Sequence, residues 1–281
     1  MTTLEQWVNQ VGINNIIWIT DLDDTVIDLS KNVTQVNAPS GLENSFHALD
    51  QATQGRFFIV TGREISYVDK LFPKKPLKAS TEYHNVMRWD ENGAPVELNQ
   101  KPQWHLIDAK FDAITKQYWP NNFTARRKPF MRSIHYPHAP LLQDPKTKAH
   151  VTQLLQDVLD DYEAQTGQKL VNIDGGAVFD IAPDGSSKGP AIQDILDAMA
   201  AKFQDRKLVP VYFGDSPGDL DAVPVIQANG GKFISVGPNP RVISVADFQL
   251  KDTAECRALF SKAGNFAPKI AIPKPPKPAG P

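Results

Sequence analysis

Two carboxylates follow an apolar segment near the beginning of the chain. Asp21 comes directly after the apolar run Ile16–Thr20, and Asp23 comes two positions later. A buried parallel strand delivers such side chains to its carboxyl edge. Two desolvated carboxylates at that edge need a cation between them, and oxygen ligands suit a hard ion, so we expect Mg²⁺. The alternative is a strand followed by an acidic turn that caps a helix.

Three later segments also place polar residues at the edge of a predicted strand or helix. Thr61 and Gly62 follow an apolar run and could hold a phosphate oxygen at the beginning of a helix. Lys188 stands at the beginning of a predicted helix, where an exposed lysine opposes the helix dipole unless an anion is present. Asp215 and Asp219 follow another apolar run. Each has a structural explanation as a cap or a solvated charge, but together they indicate a phosphate site.

The elements that must position these residues alternate between short apolar runs and helical patterns. The predicted strands are 16–20, 56–60, 208–213 and 233–236, and the predicted helices are 41–54, 64–72, 188–203 and 219–227. This alternation is typical of an α/β fold with a doubly wound parallel sheet, whose polar chemistry lies at the carboxyl ends of the strands.

The middle of the chain breaks that alternation. The pattern predicts a hairpin over 86–98, helices over 104–118 and 145–166, and strands over 129–136, 169–173 and 177–181. We interpret this as an inserted α+β module. The predicted domains are a core over 1–80 and 185–267, a cap over 81–184, and a flexible Pro/Lys-rich tail over 268–281.

Composition excludes several classes of protein. The net charge of −2 argues against a nucleic-acid binder held by a basic field. Cys256 is the single cysteine, which excludes an intrachain disulfide and a cysteine-based zinc site. There is no signal-like beginning, and the apolar runs are far shorter than the roughly 20 residues that span a bilayer. We therefore expect a soluble, cytoplasmic protein without membrane partners, and a monomer.

The motifs resemble those of the haloacid dehalogenase superfamily of phosphohydrolases. The run Asp21-Leu22-Asp23-Asp24-Thr25 matches its first motif, Asp-x-Asp-x-Thr. Thr61 matches the second motif, Lys188 the third, and Gly214-Asp215 with Asp219 the fourth. The resemblance implies a Rossmann-like hydrolase core with the larger α/β cap, inserted between the second and third motifs.

The resemblance also implies a role for each residue. Asp21 would attack phosphorus and form an aspartyl phosphate, while Asp23 would act as general acid and then general base. Thr61, Gly62 and Lys188 would bind the phosphoryl oxygens. Mg²⁺ would lie between Asp21, the backbone carbonyl of Asp23, and Asp215. Asp219 and Ser216 would lie next to the metal ligands and hold them in position.

Within the superfamily, the insert is most similar to trehalose-6-phosphate phosphatases. The likeness lies in residues 80–85, 133–140 and 176–189. It implies hydrolysis of trehalose 6-phosphate to trehalose. Three positions depart from that family, since Pro137 replaces an Arg, Asp180 a Glu and Ala182 an Arg. The fourth motif of this chain, which contains Gly218, is more similar to the fourth motif of sucrose-phosphate phosphatases.

A sugar site in the cap needs buried groups that pair with hydroxyls, because unpaired partners penalise the wrong ligand. The polar candidates are Glu82, His84, Arg132, His135, His138 and Asp180, with Trp89 or Trp104 as a ring platform. Each has a structural alternative. The tryptophans are more typical of a core, and the run 126–128 is more typical of a solvated turn.

Other functions fit parts of the pattern. A phosphatase of another sugar phosphate, such as a sucrose-6-phosphate-like substrate, and a sugar phosphomutase would use the same core. A phosphoacceptor receiver also uses carboxylates at strand ends, a Thr and a Lys, but the Asp-x-Asp spacing and the large insert argue against it. The presence of both Asp21 and Asp23 argues against a silent sugar-phosphate binding protein.

Overall fold

The structure is a computed structural model that describes residues 3–29, 37–119, 125–135, 140–174 and 178–263. The predicted tail lies outside these residues, as does His138. The strands are β1 (Ile16–Thr20), β2 (Phe57–Val60), β3 (Ala79–Thr81), β4 (Val86–Arg88), β5 (Val96–Glu97), β6 (Ala125–Arg127), β7 (Arg132–His135), β8 (Leu170–Asp174), β9 (Val178–Pro183), β10 (Val209–Gly214), β11 (Lys232–Val236) and β12 (Phe248–Leu250).

Helices connect and cover these strands. They are α1 (Leu4–Val11), α2 (Leu42–Ala52), α3 (Ile65–Leu71), α4 (Asp108–Tyr118), α5 (Pro145–Thr166), α6 (Lys188–Lys202), α7 (Ala222–Ala228), α8 (Pro240–Ile243) and α9 (Thr253–Ala263). Helix α5 matches its prediction because both ends are capped. The Asp144 side chain accepts the Thr147 N–H at 2.9 Å, and Gly167 ends the helix in a left-handed conformation. Across the described ranges, no helix is both long and apolar enough to cross a membrane.

An eight-stranded sheet forms the larger part of the fold, in the order β12-β11-β10-β1-β2-β3-β4-β5. The strands from β12 to β3 are parallel, and β4 and β5 are antiparallel. Ile16 and Trp18 of β1 face one apolar core, and Ile17 and Ile19 face another on the opposite side. Helices cover both faces, which is why β1 reads as a continuous apolar run.

The small sheet is antiparallel, in the order β6-β7-β9-β8. Ile134, Phe179 and Ile181 on one of its faces pack with residues of α4 and α5. Its other face is turned toward the large sheet, since Met131 and Ala182 share a cluster with Tyr83. An α/β core with an inserted cap is therefore confirmed.

The hairpin β4–β5 was expected in the inserted module, and this expectation was wrong. Ala79 of β3 lies beside Ile59 of β2, and β4 pairs with β3 at once through a tight turn, so the hairpin extends the large sheet. Met87 of β4 is buried in the apolar cluster on one face of the large sheet, and this packing holds β4 in that sheet. The domain boundaries at 80 and 184 themselves stay predictions.

Candidate active site

The carboxyl ends of β1, β2 and β10 lie side by side, because β1 pairs with both β10 and β2. From β1 the strand order continues to β2 and β3 on one side and to β10, β11 and β12 on the other. Ligands bind at such a switch point in α/β folds. Asp21 directly follows β1, and its N–H donates to the Phe213 carbonyl at 3.0 Å. Its side chain is buried. Burial, with the charges of Asp219 and Asp23, raises the pKa of Asp21 to about 7 despite nearby Lys188.

Lys188 lies between two carboxylates at the beginning of α6. Its Nζ is 3.0 Å from Oδ2 of Asp21 and 2.6 Å from Oδ1 of Asp219. Burial alone would lower the pKa of Lys188, but these two charges raise it well above its ordinary value. The N–H groups of Lys188 and Gly189 donate to Asp221 Oδ2 at 2.8 and 3.1 Å. A charged lysine is therefore held at this helix end by anions.

Asp219 organises the loop after β10. Its carboxylate accepts from the N–H groups of Asp215 and Ser216 at 3.0 and 2.9 Å, from Ser216 Oγ at 3.1 Å, and from the Tyr212 hydroxyl. Burial opposes its ionisation, but Lys188 and these donors lower the pKa of Asp219. Ser216 thus contacts Asp219. Both carboxylate oxygens of Asp219 are already engaged.

Three carboxylates offer a place for a cation. Asp21, Asp215 and Asp219 each present an oxygen within 4.8 Å of the others. Burial and the charges of Asp219 and Asp21 raise the pKa of Asp215 to about 9, and its Oδ1 accepts from Thr25 Oγ1 at 2.9 Å. A crowded set of oxygen donors fits a hard divalent ion, which would relieve the repulsion. Asp21 and Asp215 have the more available oxygens.

The carboxylate of Asp23 lies outside that group. It is bound by Arg63, whose Nη2 donates to Oδ1 at 3.0 Å and whose Nε donates to Oδ2. The guanidinium also lies 4.5 Å from the ring centroid of Tyr67. Among the predicted metal residues, the carboxylates of Asp21 and Asp215 are thus brought together. Metal binding by the Asp23 carbonyl stays a prediction.

The loop after β2 carries the predicted phosphate-binding groups. Thr61 is buried at the strand end, and its Oγ1 accepts the Arg63 N–H at 3.2 Å. Only glycine fits at position 62, since a Cβ there would lie 2.8 Å from the Tyr83 ring. The Gly62 carbonyl accepts from Lys128 Nζ at 2.8 Å. Burial lowers the pKa of Lys128, against the opposing charge of Asp180.

A row of polar residues crosses the small sheet on the face turned toward this loop. Arg126 of β6 pairs with Ser133 of β7, which pairs with Asp180 of β9. Within the described part of the chain, Arg126 Nη2, Ser133 Oγ and Asp180 Oδ1 are buried atoms without a hydrogen-bond partner. Asp180 Oδ2 accepts from the Tyr83 hydroxyl at 3.3 Å. We call Arg126, Ser133 and Asp180 the polar row.

The other predicted cap residues are engaged elsewhere. Glu82 accepts the Phe130 N–H at 2.9 Å. Both ring nitrogens of His84 have partners, Ser80 Oγ at 3.2 Å and Asp194 Oδ2 at 3.0 Å. The two ring nitrogens of His84 are therefore already paired, whereas Glu82 keeps a second carboxylate oxygen, and its role toward a sugar stays a prediction.

The expectation that Arg132 binds substrate is corrected by its surroundings. Its guanidinium donates to both oxygens of Asp108, at 2.8 and 3.1 Å, and lies 4.2 Å from the ring centroid of Trp104. Because side chains alternate along β7, Arg132 points away from the polar row. Trp104 belongs to the apolar cluster beneath the small sheet, and Trp89 is partly buried against an apolar cluster of the large sheet, which favours a core role for both tryptophans. His135 ends β7, and its side chain lies outside the described groups.

Arg63, Tyr83, Arg126 and Lys128 are the residues that sequence reasoning missed. A signal existed for the last two in the run Arg126-Arg127-Lys128, which we expected to be a solvated turn. In the structure, Arg126 and Arg127 belong to strand β6, and Lys128 directly follows it. Arg127 is exposed, and its Nη2 lies 2.8 Å from Asp112 Oδ2. Side chains alternate between the two faces of a strand, and this alternation would have placed Arg126 and Lys128 together on the face opposite to Arg127.

Comparison with known proteins gives one consistent likeness. No family model matches the sequence. Trehalose-6-phosphate phosphatase of Escherichia coli (strain K12) is 26% identical over 228 residues, which cover 78% of this chain and 77% of the relative. The structure of the Candida albicans trehalose-6-phosphate phosphatase C-terminal domain matches with a TM-score of 0.72 at 18% identity, covering 90% of this chain and 93% of that one.

A second solved structure places the fold in a wider group. It is a Bacteroides thetaiotaomicron phosphatase of the haloalkanoate (HAD) enzyme superfamily, with a TM-score of 0.53, 13% identity, and coverage of 90% of this chain and 94% of that one. The chain is thus similar in sequence to a trehalose-6-phosphate phosphatase, and its fold is similar to those of these two solved structures. The predicted resemblance is confirmed.

Proposed function

We propose that this chain is a metal-dependent phosphatase that removes phosphate from a sugar phosphate, most simply trehalose 6-phosphate. The single observation that carries the proposal is the position of Asp21. This buried carboxylate lies 3.0 Å from a charged lysine, at the sheet edge where Thr61 and Asp215 directly follow their strands. The likeness to trehalose-6-phosphate phosphatases supports the class of reaction.

In the proposed first step, a carboxylate oxygen of Asp21 attacks phosphorus while the bond from phosphorus to the sugar oxygen breaks. Asp23 gives a proton to that oxygen, and the sugar leaves as an alcohol. The phosphoryl oxygens are held by Thr61, the Gly62 N–H and Lys188, which offset their charge. A water then attacks phosphorus, Asp23 accepts its proton, and orthophosphate and free Asp21 result.

A divalent ion would be held by oxygens of Asp21 and Asp215, with the Asp23 carbonyl as a third donor, and Mg²⁺ is the ion that such donors favour. When bound, it draws charge from the phosphoryl group. Asp219 holds Lys188 and the loop that carries Asp215, so its part is to position them. Ser216 supports it through its own contacts with Asp219.

The polar row supports a sugar as the leaving group. Buried polar atoms without partners are costly, and a ligand hydroxyl that pairs with them removes this cost. Asp180 offers an acceptor, Arg126 a donor and Ser133 both, which suits the hydroxyls of a sugar ring. These groups lie on the face of the small sheet turned toward the phosphate-binding loop.

The experiment is orthophosphate release from trehalose 6-phosphate, sucrose 6-phosphate, glucose 6-phosphate and mannose phosphates with Mg²⁺. We expect a preference for trehalose 6-phosphate that is lost with EDTA and in Asp21→Asn. The control is Asp205→Asn, an exposed carboxylate that pairs with Arg206. A preference for sucrose 6-phosphate would overturn the trehalose assignment, and isomer formation without phosphate release would identify a phosphomutase. Cytoplasmic location and a monomeric state stay predictions.

A further inference from the structure

Three consecutive residues between β3 and β4 have a left-handed backbone. The φ angles of Glu82, Tyr83 and His84 are +50°, +51° and +73°. None of them is glycine, and L-residues avoid this region because Cβ approaches the following carbonyl oxygen. Such conformations persist where the surroundings determine them, and they cluster at ligand clamps and active sites. We call residues 82–84 the left-handed turn.

Backbone hydrogen bonds tie the left-handed turn to the phosphate-binding loop. The Glu82 N–H donates to the Arg63 carbonyl at 2.9 Å, and the Tyr83 N–H donates to the Thr61 carbonyl at 3.3 Å. Asn85 closes the turn from the other side. Its Nδ2 donates to the Glu82 carbonyl at 2.5 Å and to Ser186 Oγ at 2.8 Å. Backbone hydrogen bonds therefore fix the position of the turn relative to the loop that would hold the phosphate.

The Tyr83 side chain lies between the loops on both sides of Asp21. A Cβ on Gly62 would lie 2.8 Å from the tyrosine ring, and a Cβ on Gly218 would lie 3.5 Å from its hydroxyl oxygen. The hydroxyl donates to Asp180 Oδ2 at 3.3 Å. Asp180 belongs to the polar row, and its Oδ1 has no partner among the described groups. The Tyr83 side chain thus packs against the phosphate-binding loop, lies near Gly218 in the loop that follows β10, and hydrogen-bonds to the small sheet.

We propose that Tyr83 is a positioning residue that couples the small sheet to the phosphoryl site. Its hydroxyl holds Asp180 over the catalytic edge, and the left-handed turn fixes that hydroxyl relative to Thr61 and Gly62. Occupation of the phosphate site then orders the strand that carries Asp180. The kinetic part of this inference rests on the proposed function, because it requires a sugar leaving group, whereas the coupling does not.

The kinetic test uses Tyr83→Phe, which keeps the ring against Gly62 and removes the hydroxyl. We expect kcat/KM for trehalose 6-phosphate to fall about tenfold, the effect of one lost buried hydrogen bond. Hydrolysis of 4-nitrophenyl phosphate should change by less than about threefold, since its leaving group does not need Asp180. Tyr118→Phe is the matched control, because its hydroxyl accepts from Gln117 Nε2 at 3.2 Å on the surface.

Two further variants separate positioning from a general structural effect. Asp180→Asn and the double variant with Tyr83→Phe complete a cycle, and we expect the double variant to lose little more than either single variant. Equal losses of Tyr83→Phe on both substrates, no loss on either, or additive losses in the double variant would overturn the proposal.

A third measurement does not depend on turnover of a sugar phosphate. Hydrogen–deuterium exchange is followed in residues 178–183 with and without orthovanadate, a mimic of the phosphoryl group. We expect orthovanadate to slow exchange there in the wild-type protein and to have no such effect in Tyr83→Phe, while protection around 61–63 persists in both. Equal protection of 178–183 in both proteins, or none in the wild type, would overturn the coupling. Failure to hydrolyse any sugar phosphate would overturn only the proposed function.

Discussion

Arg63 binds the carboxylate of Asp23 through two donors, with Nη2 at 3.0 Å from Oδ1 and Nε on Oδ2. The guanidinium is nearly buried, whereas the Asp23 side chain keeps 21% exposure. A fork of this kind fixes the plane of the carboxylate as well as its charge. Arg63 is itself steadied against the Tyr67 ring. The predicted acid and base of the reaction is therefore oriented by a residue only two positions from Thr61.

The first prediction concerns this orientation. Arg63→Lys keeps the positive charge but loses the planar fork, so Asp23 is no longer held in one plane. We expect kcat/KM for the sugar phosphate to fall about tenfold. The loss should be smaller for 4-nitrophenyl phosphate, whose leaving group needs no proton. Steady-state kinetics with both substrates measure the two losses.

The control for that prediction is Arg127→Lys. Arg127 also donates to both oxygens of a carboxylate, Asp112, but this pair is exposed on the far side of β6. We expect its activity to match the wild type on both substrates. An Arg63→Lys enzyme with wild-type kinetics would show that the fork does not orient Asp23 for catalysis.

The second prediction concerns the close approach of Gly214 to Asp219. A Cβ on Gly214 would lie 2.5 Å from Asp219 Cγ, and Asp219 cannot retreat because Lys188 and Tyr212 hold it. We expect Gly214→Ala to lower the free energy of unfolding by about 1–3 kcal/mol. Thermal or urea unfolding measures the change.

Gly218→Ala is the matched comparison within the same loop. The nearest atom to its Cβ would be the Tyr83 hydroxyl oxygen at 3.5 Å, an ordinary contact. We expect its stability to stay within about 0.5 kcal/mol of the wild type. If Gly214→Ala were as stable as Gly218→Ala, the packing of Asp219 against the strand end would be looser than the structure shows.

The third prediction concerns a divalent ion. Binding to the folded chain alone stabilises it, by about 2.7 kcal/mol at a hundredfold excess over Kd. We therefore expect saturating Mg²⁺ to raise Tm by about 5–10 °C, and EDTA to reverse the rise. Asp215→Asn should abolish the shift, because it removes one of the two more available carboxylates of the site.

The exposed Asp205→Asn serves again as the control, and it should keep the full shift in Tm. Asp205 lies in a surface pair with Arg206, outside the group formed by Asp21, Asp215 and Asp219. A shift of equal size in Asp215→Asn would place the ion elsewhere in the protein.

The core and the candidate site at its sheet edge were predictable, because Asp21, Thr61 and Asp215 each follow a strand that is buried on both faces. Ile16–Thr20 matched its prediction residue for residue, and Asp21, Thr61 and Asp215 lie at one edge of the sheet because neighbouring parallel strands end there. The helix predicted over 219–227 begins only at Ala222, since the Asp219 side chain turns inward to cap the preceding loop. Tertiary contacts set that boundary, and local periodicity does not report them.

The cap face was less predictable for a physical reason. Arg132 and Asp180 looked alike as polar residues on strands, and only the pairing of β7 with β9 shows that they point to opposite faces. Tyr83 gave no sequence signal, because its position depends on a left-handed turn that residues other than glycine rarely adopt. Contacts across the chain with Arg63 and Thr61 determine that turn.

The last prediction concerns pH and Glu82. Burial raises the pKa of this carboxyl, against the Phe130 N–H and the charge of Lys128, while Glu64 adds to the rise and Lys101 opposes it. A carboxyl whose pKa is higher in the folded state favours folding when protonated. Its contribution is complete below the ordinary value of 4.5 and is lost as pH rises through the folded-state pKa.

Glu82→Gln tests this sign, because the amide oxygen can still accept the Phe130 N–H and carries no charge at any pH. We expect the variant and the wild type to have similar unfolding free energies near pH 4, and the variant to be the more stable at pH 7. Urea unfolding across this range measures the difference. Glu163→Gln, at an exposed position on α5, should show no such trend. A wild type that gains stability over the variant with rising pH would mean that Lys128 outweighs burial at this carboxylate.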